Sequence, residues 1–215
     1  DWQQPLGRVR RIPNGIDTKA FAMRPKKDAL RLIKRPGEYW VGTLAGLRTI
    51  KNLPRLVRAF TDLPENWQLV ILGEGEARDA ILAEADRLQI NHRVHLPGAV
   101  AQPERVVGLF DIFALSSDSE QFPLSVVEAM AAGLPIAAPA VGDIAGMVSQ
   151  PNAEFIAPPG DEEELRMALV QLAVSKELRK EVGEANRAKA VAEFDAAKMI
   201  ATYRRLYSSA MKIDL

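Results

Sequence analysis

The sequence predicts an α/β fold, a doubly wound parallel sheet with helices on both faces and a helical C-terminal tail. Two observations carry this. After residue 37, short apolar runs alternate with longer stretches of helical period, and several runs are apolar on successive residues, the pattern of strands covered on both faces. Strand, helix, strand, repeated across short connections, implies right-handed crossovers and therefore parallel neighbours.

Residues 1–37 are rich in Arg, Lys and Pro, turn at Asn14-Gly15, and read as a connecting segment and the start of the domain. The strands are "YWVGTL" (39–44), "QLVILG" (68–73), "RVHLPG" (93–98), "DIFALSS" (111–117) and "LPIAAPA" (134–140). Leu53, Leu56, Val57 and Phe60 make one apolar helical stripe, and Ala77, Ile81, Ala85 and Leu88 make the next. After "APPGDEEEL" the helical pattern runs on without another apolar strand. Asp161 with Glu164 gives a capping-box-like start, and Leu165, Ala168, Leu169 and Leu172 supply the stripe. Further helices cover roughly 176–193 and 195–211, the last carrying Ile200, Tyr203, Tyr207 and Ala210 on one side. The main domain is thus 38–194 and the tail 195–215. In doubly wound sheets ligands sit at the carboxyl ends of the strands, which singles out loops 42–52, 73–76, 97–103 and 116–124.

The 215 residues are 47% hydrophobic and 26% charged, enough for one sizeable core. Lys+Arg and Asp+Glu both number 28, so no global field draws the chain to nucleic acid or an anionic membrane, and any anion must be held locally. The absence of cysteine removes disulfides and thiolate metal sites and favours a reducing, cytoplasmic setting. No run approaches the roughly 20 apolar residues of a membrane span, and "DWQQPLGRVRR" has no apolar signal core, so a soluble chain is expected.

The most informative stretch is "SEQFPLSVVEAM" (119–130). Pro123 suits the first turn of a helix running to about Ala132, where Gly133 ends it and Pro135 prevents its continuation. The amides of Leu124 and Ser125 then lack intrahelical partners at the positive end of the dipole, a phosphate-sized anion site just after a buried strand. Glu120 precedes the helix and Glu128 lies about five residues into it, roughly 7–8 Å along the axis. A nucleoside diphosphate lying across that helix end would meet a hydroxyl-accepting carboxylate at each side. The alternative is that Glu120 serves the helix dipole and Glu128 is a solvated face residue.

The stretch "SEQFPLSVVEAMAAGLPIAAP" resembles the signature of the retaining, nucleotide-sugar-dependent glycosyltransferases of family four (glycosyl transferases group 1), with its E-x7-E motif at Glu120 and Glu128. "IPNGIDTKAF" (12–21), "VGTLAGLRTIKNLPRLVRAF" (41–60), "LVILGEGEARDAI" (69–81), "VHLPGAV" (94–100) and "APPGDEEEL" (157–165) follow the family's order. The resemblance implies one half of a GT-B architecture, the Rossmann-like second domain that binds a UDP- or GDP-sugar. Residues 1–37 would then be interdomain, and the final helix would cross back to an N-terminal acceptor-binding domain missing from this chain. It further implies that Glu128 binds ribose and Glu120 the transferred sugar, with the backbone around Phe122, Pro123 and Leu124, and with Ser125, at the sugar or diphosphate. Lys51 matches the lysine that neutralises the diphosphate, while the backbone near Gly98 and Val100 meets the base. The family's arginine five residues before that lysine is Gly46 here, which makes Arg48 and Arg105 the candidates for a second cation; Gln121 replaces a common glycine.

The expected activity is hexosyl transfer with retention, without a metal since no Asp-x-Asp pair occurs, and without turnover by this chain alone. The acceptor implied is of the kind of a lipid-linked saccharide or polysaccharide precursor, reached at the inner face of the membrane through the missing domain. The alternative function is a nucleotide-binding module that has lost catalysis, with Gly46 as its marker. Other readings fall away: the third small residue of a dinucleotide fingerprint falls on Arg78, His92 and His95 lack metal-site spacing, and "RVRRIP" lacks aromatic interleaving for nucleic acid.

Overall fold

Six parallel strands form one sheet in the order β3-β2-β1-β4-β5-β6: β1 (Tyr39–Leu44), β2 (Trp67–Leu72), β3 (Val94–Gly98), β4 (Ile112–Ala114), β5 (Ile136–Pro139) and β6 (Ile156–Ala157). The computed structural model describes residues 9–26, 28–30 and 32–212; most of the "DWQQPLGRVRR" stretch and parts of the 1–37 and 195–215 segments lie outside the described residues. Five strands match the apolar runs of the sequence. The sixth is two residues long, too short to leave a run, and is missing from the strands read in the sequence; after "APPGDEEEL" only helices follow among the described residues.

Burial on both faces explains the unbroken apolar runs. Val41, Leu69, Ile71 and Ile112 lie in one core, and their chain neighbours Trp40, Val70, Leu72 and Phe113 in the other. Each such side chain contributes about 1.5–3 kcal/mol. The first core is covered by α2 (Leu53–Phe60), α3 (Arg78–Arg87) and α6 (Glu162–Val174), and the second by α1 (Thr18–Phe21), α4 (Leu124–Ala131) and α5 (Ile144–Met147). α7 (Lys176–Glu193) joins the layers, with Val182 in the first core and Ala190 in the second. Asp161 caps α6 as expected, accepting from the Glu164 amide at 3.0 Å. The β3-to-β4 crossover runs through two 3-10 turns, Pro103–Arg105 and Val107–Leu109, instead of an α-helix.

The opening segment is more than a connector, because Ile16, Phe21 and Leu30 are buried in the second core. Ile16 donates its N–H to Phe194 O (2.9 Å) and accepts from the Ala196 amide (2.8 Å), so the chain enters and leaves the domain side by side. Thr18 Oγ1 donates to the Asp195 carboxylate at 2.6 Å, and that bond is the main cause holding this carboxyl below its ordinary range. The same carboxylate caps α8 (Ala196–Met211). α8 buries none of its residues. Its apolar stripe faces solvent, with Ile200 47% and Tyr207 52% exposed and the Tyr203 and Tyr207 rings stacked. A stripe of this kind ordinarily packs on its own domain. Among the described residues no helix is long and apolar enough to cross a membrane.

Candidate functional site

The strand order reverses between β1 and β4, so the loops that follow these two strands part around a crevice at the sheet's carboxyl edge. On the β1 side the chain closes a 3-10 turn, Thr49–Lys51, and Asn52 adopts a left-handed conformation (φ 43) that starts α2. On the β4 side, Ser116 and Ser117 follow the strand, both 1% exposed. Ser116 Oγ donates to the carbonyls of Lys51 (3.0 Å) and Asn52 (2.9 Å), and the Asp118 amide donates to Ile50 O (2.9 Å). The Asp118 carboxylate accepts from Asn52 Nδ2 and pairs with Arg55 at 2.7 Å. These bonds lace the two loops together.

That lacing brings Lys51 and Glu120 into contact. Lys51 Nζ donates to Glu120 Oε1 at 2.6 Å, and Ser117 Oγ donates to the same oxygen at 2.7 Å. The two side chains are only 15% and 9% exposed, so the pair is largely withdrawn from water. Ser116, Ser117, Asp118, Asn52 and Arg55 escape the sequence reading. Its strand ended at Ser117, and the signal was two consecutive hydroxyl residues at the edge where ligands sit.

Pro123 stands one residue ahead of α4 as its N-cap, in extended conformation (φ −70, ψ 109), where the sequence placed it in the first turn. Proline offers no capping side chain. The amides of Leu124 and Ser125 therefore donate to nothing among the described residues, and the next one, Val126, reaches back to Pro123 O at 3.1 Å. Leu124 is 42% exposed, which leaves this helix start open. At the other end Gly133 (φ +80) donates to Met130 O and Leu134 to Ala129 O, closing α4 where expected.

Glu128 is half-buried in the second turn of α4, and its carboxylate has no hydrogen bond or ion pair among the described residues. Burial first, and Glu104 second, raise its carboxyl above the ordinary range. Gly98 has φ +97, accepts from the Gly73 amide at 3.0 Å, and has the Glu74 carboxylate packed where a β-carbon would project. Val100 and Arg105, with Pro97, Ala99 and Gln102, line a hollow of about 430 Å³. A second hollow of about 440 Å³ is lined by Arg48, Lys51, Ser119, Glu120, Gln121 and Phe122. Glu128 lines neither of the two. Arg48 is exposed, and its Nε lies 3.4 Å from the point where a β-carbon on Gly46 would stand, so the guanidinium folds over the glycine. Phe122 meets Phe194 edge-on, with ring centroids 5.6 Å apart.

Among the described residues no three His, Asp or Glu side chains gather as a metal set. His92 bonds Glu65 at 2.8 Å and His95 bonds Gln68 at 2.9 Å, both far along the strands from the crevice loops. Chemically, the crevice offers a cation, unpartnered amides and the Glu120 carboxylate. That set can hold a diphosphate while accepting hydrogen bonds from hydroxyls beside it.

The family model described as "Glycosyl transferases group 1" matches residues 27–189. N-acetyl-alpha-D-glucosaminyl L-malate synthase of Bacillus anthracis is 25% identical over 98% of this chain and 56% of its own length. Among solved structures, HepE of Anabaena in complex with UDP superposes with a TM-score of 0.83 at 23% identity, covering 92% of this chain and 57% of that one; the same protein is also solved with UDP-glucose. Sucrose-phosphate synthase of Thermosynechococcus elongatus gives 0.79 at 25% identity, covering 93% and 53%. The chain spans about half the length of the relatives it matches, and its sheet with C-terminal helices resembles half of a GT-B structure.

Proposed function

The chain belongs to the glycosyl transferases group 1 family, and from that premise we propose that it is the donor-binding half of a retaining glycosyltransferase that takes its sugar from a UDP- or GDP-sugar. The observation that carries the reading is the crevice itself: Lys51 and Glu120 in contact at 2.6 Å beside the unpartnered amides that open α4. The diphosphate seats on the amides of Leu124 and Ser125 and on Lys51. Its charge develops further as the glycosidic bond breaks, so these preorganised donors favour the transition state over the ground state. Glu120 accepts from the sugar hydroxyls and Glu128 from the ribose, with the base toward Gly98 and Val100. Arg48 and Arg105 are the cations at the rim. The UDP and UDP-glucose complexes of HepE support UDP as the first nucleotide to try.

The exposed stripe of α8 suits the domain that would supply the acceptor's side of the crevice, a lipid-linked saccharide or polysaccharide precursor being the acceptor. The working place is the cytoplasm, at the inner face of the membrane when the acceptor is lipid-linked. Calorimetric titration with UDP, GDP and ADP tests the site, with binding expected for one of the first two and a loss in Lys51→Ala and Glu128→Ala. Indifference of the wild type to all three refutes the reading.

A further inference from the structure

The loop 119–123 has no regular secondary structure, yet it carries Glu120 and leads directly into the open amides of α4. Lys51 and Ser117 hold the Glu120 side chain. The backbone of the loop rests on something else. Just beyond β5, Gly142 (φ +58) lies directly against the carbonyls of Glu120 and Gln121. A β-carbon on Gly142 would stand 2.6 Å from Gln121 O and closer still to Glu120 O, well inside contact distance. The next residue, Asp143, donates its N–H to Gln121 O at 2.9 Å.

We infer that Gly142 is a positioning residue for the donor site: the β5–α5 turn is the seat that fixes the height of the Glu120 loop, and it works only with no side chain at that position. Backbone carbonyls have no rotamer with which to avoid an added methyl, so either the loop or the turn must move. The turn is anchored, since Val141 and Ile144 on either side are buried and the Met147 amide bonds Asp143 O at 3.0 Å. The loop lies outside any helix or strand and is held by its ends, by Lys51 and Ser117 on Glu120, by the Asp143 bond to Gln121 O and by the Phe122–Phe194 contact. All of these can shift without breaking a helix, so the loop yields. A displacement there carries Glu120 and the amides of Leu124 and Ser125 with it, although Gly142 itself bonds to neither.

The inference rests on the donor-site reading, and its test separates the two. Gly142→Ala is compared with Gly160→Ala, a control in which a left-handed glycine (φ +80) has nothing within 4 Å of an added β-carbon. Both variants bear the backbone penalty of a positive φ, and only the first bears the clash. We expect Gly142→Ala to shift the amide resonances of residues 119–122 and 124 and to weaken UDP, or GDP where the wild type prefers it, about tenfold, the loss of one charge-assisted contact. Gly160→Ala should do neither. The inference fails if the two variants behave alike, or if the amides shift with affinity unchanged. Should Gly142→Ala not fold, hydrogen exchange on the wild type decides: the nucleotide should slow the Asp143 amide more than the Met147 amide, and equal protection overturns the seat. A wild type that binds no nucleoside diphosphate refutes the donor-site reading, and the amide shifts of the two variants still judge the seat.

Discussion

Replacing Lys51 with methionine keeps most of the unbranched side chain, one heavy atom shorter, and removes its charge. Glu120, 9% exposed, is then a carboxylate with Ser117 Oγ as its one remaining side-chain donor among the described residues. Breaking a fully buried pair this way costs about 3–5 kcal/mol. The lysine here is 15% exposed at the mouth of a crevice, which brings the cost to about 2 kcal/mol. In a chain of 215 residues that corresponds to a melting temperature lower by about 4–8 °C. Glu120→Gln behaves differently, because the amide still accepts from Ser117 and the freed ammonium can swing toward water; about 1 kcal/mol or less is expected. The double variant should therefore melt above Lys51→Met, since the stranded carboxylate is gone. Calorimetric melts of the three variants without nucleotide check the order, and UDP titrations should show both single variants weakened. A Lys51→Met protein melting within about 1 °C of the wild type, or a double variant melting below it, refutes the account of the pair.

Glu128 gives the pH behaviour. Its carboxyl is raised above the ordinary glutamate range, chiefly by burial, so in the fold it stays protonated where the unfolded chain has already ionised it. Stability contributed by this group is therefore fully present below that ordinary value and is lost as pH rises through the raised one, a slope that urea melts should show and Glu128→Gln should flatten. Nucleotide affinity should run the other way, rising across the same window as the carboxylate forms to accept the ribose hydroxyls. Arg48→Ala should weaken UDP about threefold to tenfold at low salt and less at high salt, and Gly46→Arg in that background should restore the loss, because position 46 lies under the guanidinium it replaces. Asn152→Ala should cost about 3 kcal/mol by urea denaturation, since its buried side chain accepts from Ile136 N (2.8 Å) and donates to Ile136 O (2.9 Å) and neither group has a substitute.

The sheet was legible because Val41, Leu69 and Ile112 alternate between two covered faces with Trp40, Val70 and Phe113, and double burial leaves unbroken apolar runs. β6 was not, because Asn152 and a two-residue strand complete the sheet's edge with almost no apolar signal. The opening segment looked like linker from its Arg, Lys and Pro content, while Ile16 and Phe21 enter the core at spacings too irregular to read as an element. At the site, an open helix start ahead of Leu124 followed from Pro123 and a preceding strand. The contact of Lys51 with Glu120 did not, since 69 positions separate them and only the adjacency of β1 and β4 brings them together. Gly142 left no trace of its role in the sequence, as one turn glycine reads like any other until the carbonyls against it are seen.

Ile16 and Asp195 lie beside each other, so the intervening body is a cassette with a single doorway. Such a body can be inserted into a host loop, or its ends joined and reopened at a distant surface turn, without stretching any connection.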